Sequence, residues 1–389
     1  MATADPPRRI LLGPGPSNVH PRVLRALSLP LVGHLDPVFI DIMEETKRLL
    51  RATFLTDNTL TLPISATASA GMEACLVNLL EPGDSAIVGV NGVFGTRMVD
   101  IVERCGATPI QVEAPWGRII EPDAIAKALR DAPQAKLVAL VHAETSTGAW
   151  QPLEEIGRMV RAADKLFVVD TVTSLGGCPV RIDEWSIDAA YSGTQKCLSC
   201  PPGLAPLTFG PRAVEALRRR RGKVQSWYLD LTMIVRYWGD ERVYHHTAPI
   251  SMNYALLEAL RLVDEEGLEA RWARHERHHR GLAAGLAALG MGLTAQEGHQ
   301  LWTLNAVRIP EGVDDAAVRK ALLDEFQLEI GGGLGPLKGK VWRIGLMGES
   351  STEANVLLVL DALERLLPRF GHRVDAGAGV SAAERQLAR

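Results

Sequence analysis

Two ionisable residues stand at or just past the ends of short apolar runs. Asp170 closes Leu166-Phe-Val-Val-Asp170, and Lys196 follows Ala189–Tyr191 in the string Tyr191-Ser-Gly-Thr-Gln-Lys196. Taken singly, such an aspartate reads as a helix cap or turn residue and such a lysine as a solvated surface residue. Together they suggest a sharper chemistry. A partly desolvated lysine can form a Schiff base with an aldehyde. A carboxylate held opposite can pair with a protonated pyridine nitrogen and keep the ring an electron sink. That combination describes pyridoxal 5'-phosphate. Its phosphate needs N–H groups and hydroxyls at a positive helix end, and the turn Ser65-Ala-Thr-Ala-Ser-Ala-Gly71 before the helical run Met72–Leu80 offers them. Small-residue turns precede many helices, so this cradle supports the pair and does not stand alone.

Two other groupings have a formal chemical signature. Cys197-Leu-Ser-Cys200 is a CxxC, but no second ligand pair accompanies it, as a zinc site requires. His275-Glu-Arg-His-His279 satisfies HExxH, with His275 and His279 as zinc ligands and Glu276 as base. The surrounding stretch Arg271–Arg280 carries four arginines and almost no apolar face, and Gly285 occupies the position of a third ligand. A solvated, charged helix joining two domains is the expectation there.

The elements that must position Asp170 and Lys196 follow from periodicity. Strand-like runs at Ser85–Val90, Thr108–Glu113, Lys136–His142, Leu166–Asp170 and Ala189–Tyr191 alternate with helical patterns at Thr96–Cys105, Pro122–Asp131 and Leu153–Ala163. This predicts a largely parallel, buried sheet with helices on both faces, whose carboxyl edge binds ligands. Asp36–Phe54 predicts an amphipathic helix, and Leu204–Phe209 a further strand after Pro201-Pro-Gly203. Asn253–Leu289 reads as one long helix. Beyond it, strand Trp302–Ile309, helix Asp315–Phe326, strand Val341–Met347 and helix Thr352–Leu367 predict a smaller α/β domain, with Ser350 and Glu353 at capping-box spacing. The small and polar residues after Val374 predict a frayed tail. The expected division is an N-terminal segment 1–20, a large domain 21–269, a small domain 270–373 and a tail 374–389.

Composition excludes several classes. Over 389 residues, 42 Lys+Arg against 46 Asp+Glu leave a net charge of −4, without the basic surplus of a nucleic-acid binder. No apolar run approaches the ~18 residues of a membrane span. Five cysteines are too few for a disulfide scaffold of this size, which fits a reducing cytosol. Met1–Arg9 leads into no apolar core of a secretory signal, and Gln386-Leu-Ala-Arg389 is not a peroxisomal signal, so a cytoplasmic location is expected.

Several ordered blocks carry a family resemblance: Leu11-Leu-Gly-Pro-Gly-Pro-Ser-Asn18, His142-Ala-Glu-Thr-Ser-Thr-Gly148, Val169-Asp-Thr-Val-Thr-Ser-Leu-Gly-Gly177, Ser192-Gly-Thr-Gln-Lys-Cys-Leu-Ser-Cys-Pro-Pro-Gly203, Tyr244-His-His-Thr247 and Trp342-Arg-Ile-Gly-Leu346. Across nearly its whole length the chain resembles the alanine–glyoxylate and serine–glyoxylate/pyruvate aminotransferases, class V of the fold type I pyridoxal-phosphate enzymes. The resemblance implies a large domain with a mostly parallel seven-stranded sheet between helices and a smaller C-terminal α/β domain.

It also implies roles, position by position. Lys196 matches the Schiff-base lysine and proton shuttle, and Asp170 the partner of the pyridinium nitrogen. Phe94 falls where an aromatic ring stacks on the cofactor. Thr67, Ala68 and Ser69 match the phosphate loop, Thr145 a hydroxyl near the ring, and Gln195 a phosphate-side neighbour. Tyr244 and Thr247 match residues that cross a homodimer to the other subunit's phosphate. Arg343 matches the grip on the substrate carboxylate, and Gly15 a second substrate-binding position. Ala66 and Ala68 stand where the family usually has glycine, and would be strained if those positions required positive φ. The implied reaction is ping-pong transamination from L-alanine to glyoxylate, with L-serine or ureidoglycine as alternative donors.

Overall fold

The computed structural model describes residues 6–388, so what was expected of residues 1–5 and 389 lies outside the described residues. The short apolar runs become seven strands: β1 (Leu60–Ile64), β2 (Ser85–Val90), β3 (Thr108–Glu113), β4 (Leu137–Val141), β5 (Leu166–Asp170), β6 (Ala189–Tyr191) and β7 (Ala205–Phe209). Their order across the sheet is β1-β7-β6-β5-β4-β2-β3, and every pairing is parallel except the two made by β7. Apolar residues run without alternation because both faces are covered. Along β4, Leu137, Ala139 and Val141 enter one core while Val138 and Leu140 enter the other. The register sets Val141 beside Asp170 and Asp170 beside Tyr191, so the ends of β4, β5 and β6 share one carboxyl edge.

The first of the helices matches its expected run to within one residue, and the next two start three or four residues earlier than expected. Helix α1 (Pro37–Phe54) is capped by Asp36, whose carboxylate accepts from the Val38 N–H at 2.8 Å. Helix α2 runs Ala68–Leu79 with Thr67 as its N-cap, and α3 runs Val93–Arg104, which puts Phe94 in its first turn. The long helix expected over Asn253–Leu289 is two, α4 (Ile250–Glu266) and α5 (Leu268–Ala288), divided at Gly267. Gly267 has φ +80°, which glycine adopts without a Cβ clash.

The smaller domain has its own core around the sheet of β8 (Leu304–Arg308), β9 (Gly331–Gly332) and β10 (Val341–Gly345), in order β8-β10-β9. Helices α6 (Asp315–Phe326) and α7 (Glu353–Leu366) cover it. The capping box expected from Ser350 and Glu353 does not form. Thr352 is the N-cap and accepts from the Asn355 N–H at 3.1 Å, while Ser350 accepts from the Asn18 N–H at 2.9 Å.

Two expectations for this region need correction. The tail is not frayed over 378–387, where helix α8 (Ala378–Leu387) buries Ala383 and Leu387. Glu364 of α7 holds its start, accepting from Gly377 and Gly379 N–H at 2.7 Å each. Nor is α5 a solvated linker: Arg271, Trp272, His275, His278 and His279 are buried. Each of these histidines is fastened: His275 accepts from the Gly348 N–H at 2.9 Å, His278 meets Ser351 at 3.0 Å, and His279 meets Asn305 at 2.7 Å. Glu276 faces away to pair with Arg280, and no cluster able to hold a metal ion occurs among the described residues.

Candidate active site

Lys196 leaves β6 at the carboxyl edge and turns back toward Asp170. The segment before α1 clamps the lysine loop. Ser17 N–H donates to Gln195 O at 2.9 Å, Ser17 Oγ donates to Lys196 O at 2.8 Å, and Lys196 Nζ donates to Pro14 O. Burial lowers the lysine pKa to about 8, with the positive charge of Arg343 adding to the shift and Asp170 opposing it. The amine therefore reaches its neutral, nucleophilic form above about pH 8, well below an ordinary lysine.

Asp170 is buried, and burial pushes its pKa up to about 7 despite two hydrogen bonds that favour the charged form. Val172 N–H and the Tyr191 hydroxyl each donate to it at 2.8 Å. These bonds fix the carboxyl group at the base of a cavity of ≈ 230 Å³. Ala68, Ser69, Phe94, Thr145, Asp170, Gln195 and Lys196, seven of the residues singled out from the sequence, line it together.

The cavity walls fit pyridoxal phosphate. The Thr67 side chain makes no capping bond, and while Ala70 N–H donates to Thr67 O at 2.9 Å, the amides of Ala68 and Ser69 remain open for an anion. Gln195, whose side-chain oxygen is buried without a partner, lines the same cavity, and its amide NH2 is the donor that a phosphate would take. Neither Ala66 nor Ala68 has positive φ, so the strain considered for them does not arise. The Ala68 methyl is admitted because the facing residue is Gly193, where a β-carbon would lie 2.8 Å from it.

The remaining expected residues fall outside the cavity lining. Thr67 caps α2 at its rim. Gly15 abuts the Lys196 side chain. Arg343, on β10, is buried; its Nε donates to Gly332 O at 2.7 Å and Nη1 reaches Thr145 O at 3.5 Å. Tyr244 and Thr247 are exposed, with their hydroxyls 3.4 Å apart. Their loop touches the phosphate-side turn through His246, which meets Ser65 Oγ at 2.7 Å.

Sequence reasoning missed Glu144, Tyr191 and Arg97. Glu144 is fully buried, and accepts from Ser146 N–H at 3.0 Å, Ser146 Oγ at 2.5 Å and Phe94 N–H at 3.1 Å. It thus holds the start of α3 and the backbone of Phe94. Glu144 sits inside the block 142–148, Tyr191 opens the string that ends at Lys196, and Arg97 lies in the helical run after Phe94.

This sheet, with a lysine and a carboxyl group meeting at its carboxyl edge, is the frame of a known family. Residues 14–335 match the model for "Aminotransferase class-V", and the chain belongs to that family. It is a pyridoxal-phosphate-dependent transaminase. The (S)-ureidoglycine–glyoxylate transaminase of Bacillus subtilis is 43% identical, over 97% of this chain and 95% of its own length. The alanine–glyoxylate aminotransferase of Rattus norvegicus is 40% identical, over 93% of this chain and 88% of its own. Among solved structures, the alanine–glyoxylate aminotransferase of Nostoc sp. superposes with a TM-score of 0.93 at 49% identity, covering 94% of this chain and 97% of that one. The ureidoglycine–glyoxylate aminotransferase of Bacillus subtilis gives 0.97 at 44%, covering 99% of each.

Proposed function

We propose that the chain transfers the amino group of L-alanine to glyoxylate, giving pyruvate and glycine. The observation that carries this reading is one buried guanidinium, Arg343, close enough to Lys196 for its charge to help lower the lysine pKa. A single fork suits monocarboxylates, and alanine, pyruvate, glyoxylate and glycine are all of that kind. Ping-pong use of one site requires a grip common to both half-reactions. The alanine–glyoxylate relatives and the Tyr244-His-His-Thr247 block favour alanine among donors.

Pyridoxal phosphate, when bound, supplies an aldehyde for the donor amine and a ring that withdraws electrons from the substrate Cα. The chain's own groups do the rest. Arg343 holds the substrate carboxylate. Lys196, neutral above about pH 8, takes the Cα proton as general base and returns it as general acid. The Asp170 carboxylate would pair with the ring nitrogen and hold its proton there. Phe94 provides a stacking face, and Thr67, Ala68, Ser69, Thr145 and Gln195 supply neutral polar contacts around the cofactor.

In this reading the working form is a homodimer, with Tyr244 and Thr247 serving the partner's phosphate. Exposed large apolar residues support it: Leu31 is 70% exposed, Val38 58% and Trp227 61%. Five buried free thiols suit the cytoplasm.

The second reading, ureidoglycine as donor, is favoured by the 43% identical transaminase and the TM-score of 0.97. Measuring kcat/KM for L-alanine, L-serine and (S)-ureidoglycine at fixed glyoxylate separates them. Alanine should lead. A higher value for ureidoglycine would replace the proposal with the second reading.

A further inference from the structure

We propose that Arg97 is a phosphate-binding residue of the cofactor cavity. The inference rests on the reading above, in which the phosphate end lies at the start of α2.

The charge balance at that end is incomplete without it. A phosphate monoester carries about −1.5 to −2 charges at neutral pH. The groups of this chain so far placed there are the amides of Ala68 and Ser69, the Ser69 hydroxyl and the Gln195 amide, all neutral. A helix N-terminus adds the equivalent of only about half a positive charge. Lys196 stands elsewhere in the cavity, tied to Pro14 O.

Arg97 lines the same cavity and reaches its phosphate side. It lies on α3, three positions after Phe94 and hence on the same helix face. Its guanidinium sits 5.0 Å from the Phe94 ring centroid, and Nη1 donates to Ser69 Oγ at 3.2 Å. Its helix neighbour Arg104 is paired with Asp100, but Arg97 has no carboxylate within ion-pair distance among the described residues. The contacts to Ser69 and Phe94 hold a cation beside the open amides while leaving its remaining N–H donors free. A guanidinium so placed matches phosphate oxygens in both charge and geometry.

The alternative is that Arg97 acts only by bracing Phe94. The two roles differ in what they require of the ligand. A phosphate contact matters for pyridoxal 5'-phosphate and not for pyridoxal, whereas a braced ring matters for both. The full-length protein, freed of cofactor by dialysis, should be titrated with each compound while tryptophan fluorescence is followed. Arg97→Gln should raise the dissociation constant for pyridoxal 5'-phosphate by about ten- to a hundredfold and leave that for pyridoxal unchanged. Arg97→Lys, which keeps the charge, should recover much of the loss. Equal weakening of both ligands, or no change in either, would overturn the proposal.

Ser69→Asp serves as the control, because aspartate is welcome in a first helical turn and would repel a phosphate there. If it weakens only the phosphorylated ligand while Arg97→Gln does not, the inference about Arg97 alone is wrong. If Ser69→Asp is also without effect, the placement of the phosphate at α2 is wrong, and the proposal falls with it.

Discussion

Gly15 packs so closely on Lys196 that a β-carbon there would lie 2.5 Å from Nζ and 2.7 Å from Cδ. Its φ of +104° is also closed to most L-residues. Gly15→Ala should therefore displace the amine. Displacement of a reacting group by about 1 Å costs on the order of 10²-fold in rate. Steady-state kinetics should show that loss in kcat, accompanied by a lower melting temperature from the backbone strain, and wild-type turnover would contradict the proposed role of the contact.

Asp170 gives a pH signature. Its folded-state pKa of about 7 leaves the carboxyl neutral in acid and charged only above that point. Affinity for pyridoxal 5'-phosphate, measured by equilibrium titration from pH 5.5 to 9, should rise through pH 7 as the carboxylate forms. Asp170→Asn should lose that limb and keep only the rise near pH 8 from Lys196. Identical profiles for the two proteins would remove Asp170 from cofactor binding.

Arg343→Ala should raise KM for L-alanine and for glyoxylate together, by roughly ten- to a hundredfold, because one guanidinium serves both. Full kinetic matrices with both substrates varied would check this. An effect confined to one substrate contradicts a shared grip.

The row of buried histidines on α5 predicts acid lability. Burial lowers the pKa of His279 from 6.5 to about 4, so the unfolded chain binds the proton first. The stability tied to this group is complete above about pH 6.5 and is lost as pH falls toward and through 4, at up to about 1.4 kcal/mol per pH unit. Asp170, raised from 3.8 to about 7, acts in the opposite sense over its own window. Comparing single variants removes that background. His279→Gln, which can keep the bond to Asn305, should flatten the slope of unfolding free energy between pH 6.5 and 4 in urea melts. A slope equal to wild type would contradict the assignment.

The parts legible in the sequence are those fixed by neighbours along the chain. Leu166–Asp170 reads as a buried strand because five consecutive residues are sealed on both faces, and the helix read over Asp36–Phe54 is found with Asp36 as its cap because the pattern is local. What was missed depends on distant partners. Glu364 caps α8 from another helix, and Ala383 and Leu387 make a stripe too sparse to register as a helix face. The histidines of α5 looked solvated because Gly348, Ser351 and Asn305, which satisfy them, lie far along the chain. Glu144 escaped notice for the same reason, since the N–H it receives from Phe94 comes from α3, 50 residues earlier in the chain.

The central claim is amino transfer centred on Lys196, and the most direct test is a half-reaction. Purified protein loaded with pyridoxal phosphate should be titrated with L-alanine alone while its visible absorption is followed, and then with glyoxylate. The account predicts that alanine discharges the long-wavelength band, that glyoxylate restores it with formation of glycine, and that Lys196→Ala abolishes the cycle without unfolding the protein. A band that alanine leaves unchanged, or an Lys196→Ala variant that still completes the cycle, would contradict it.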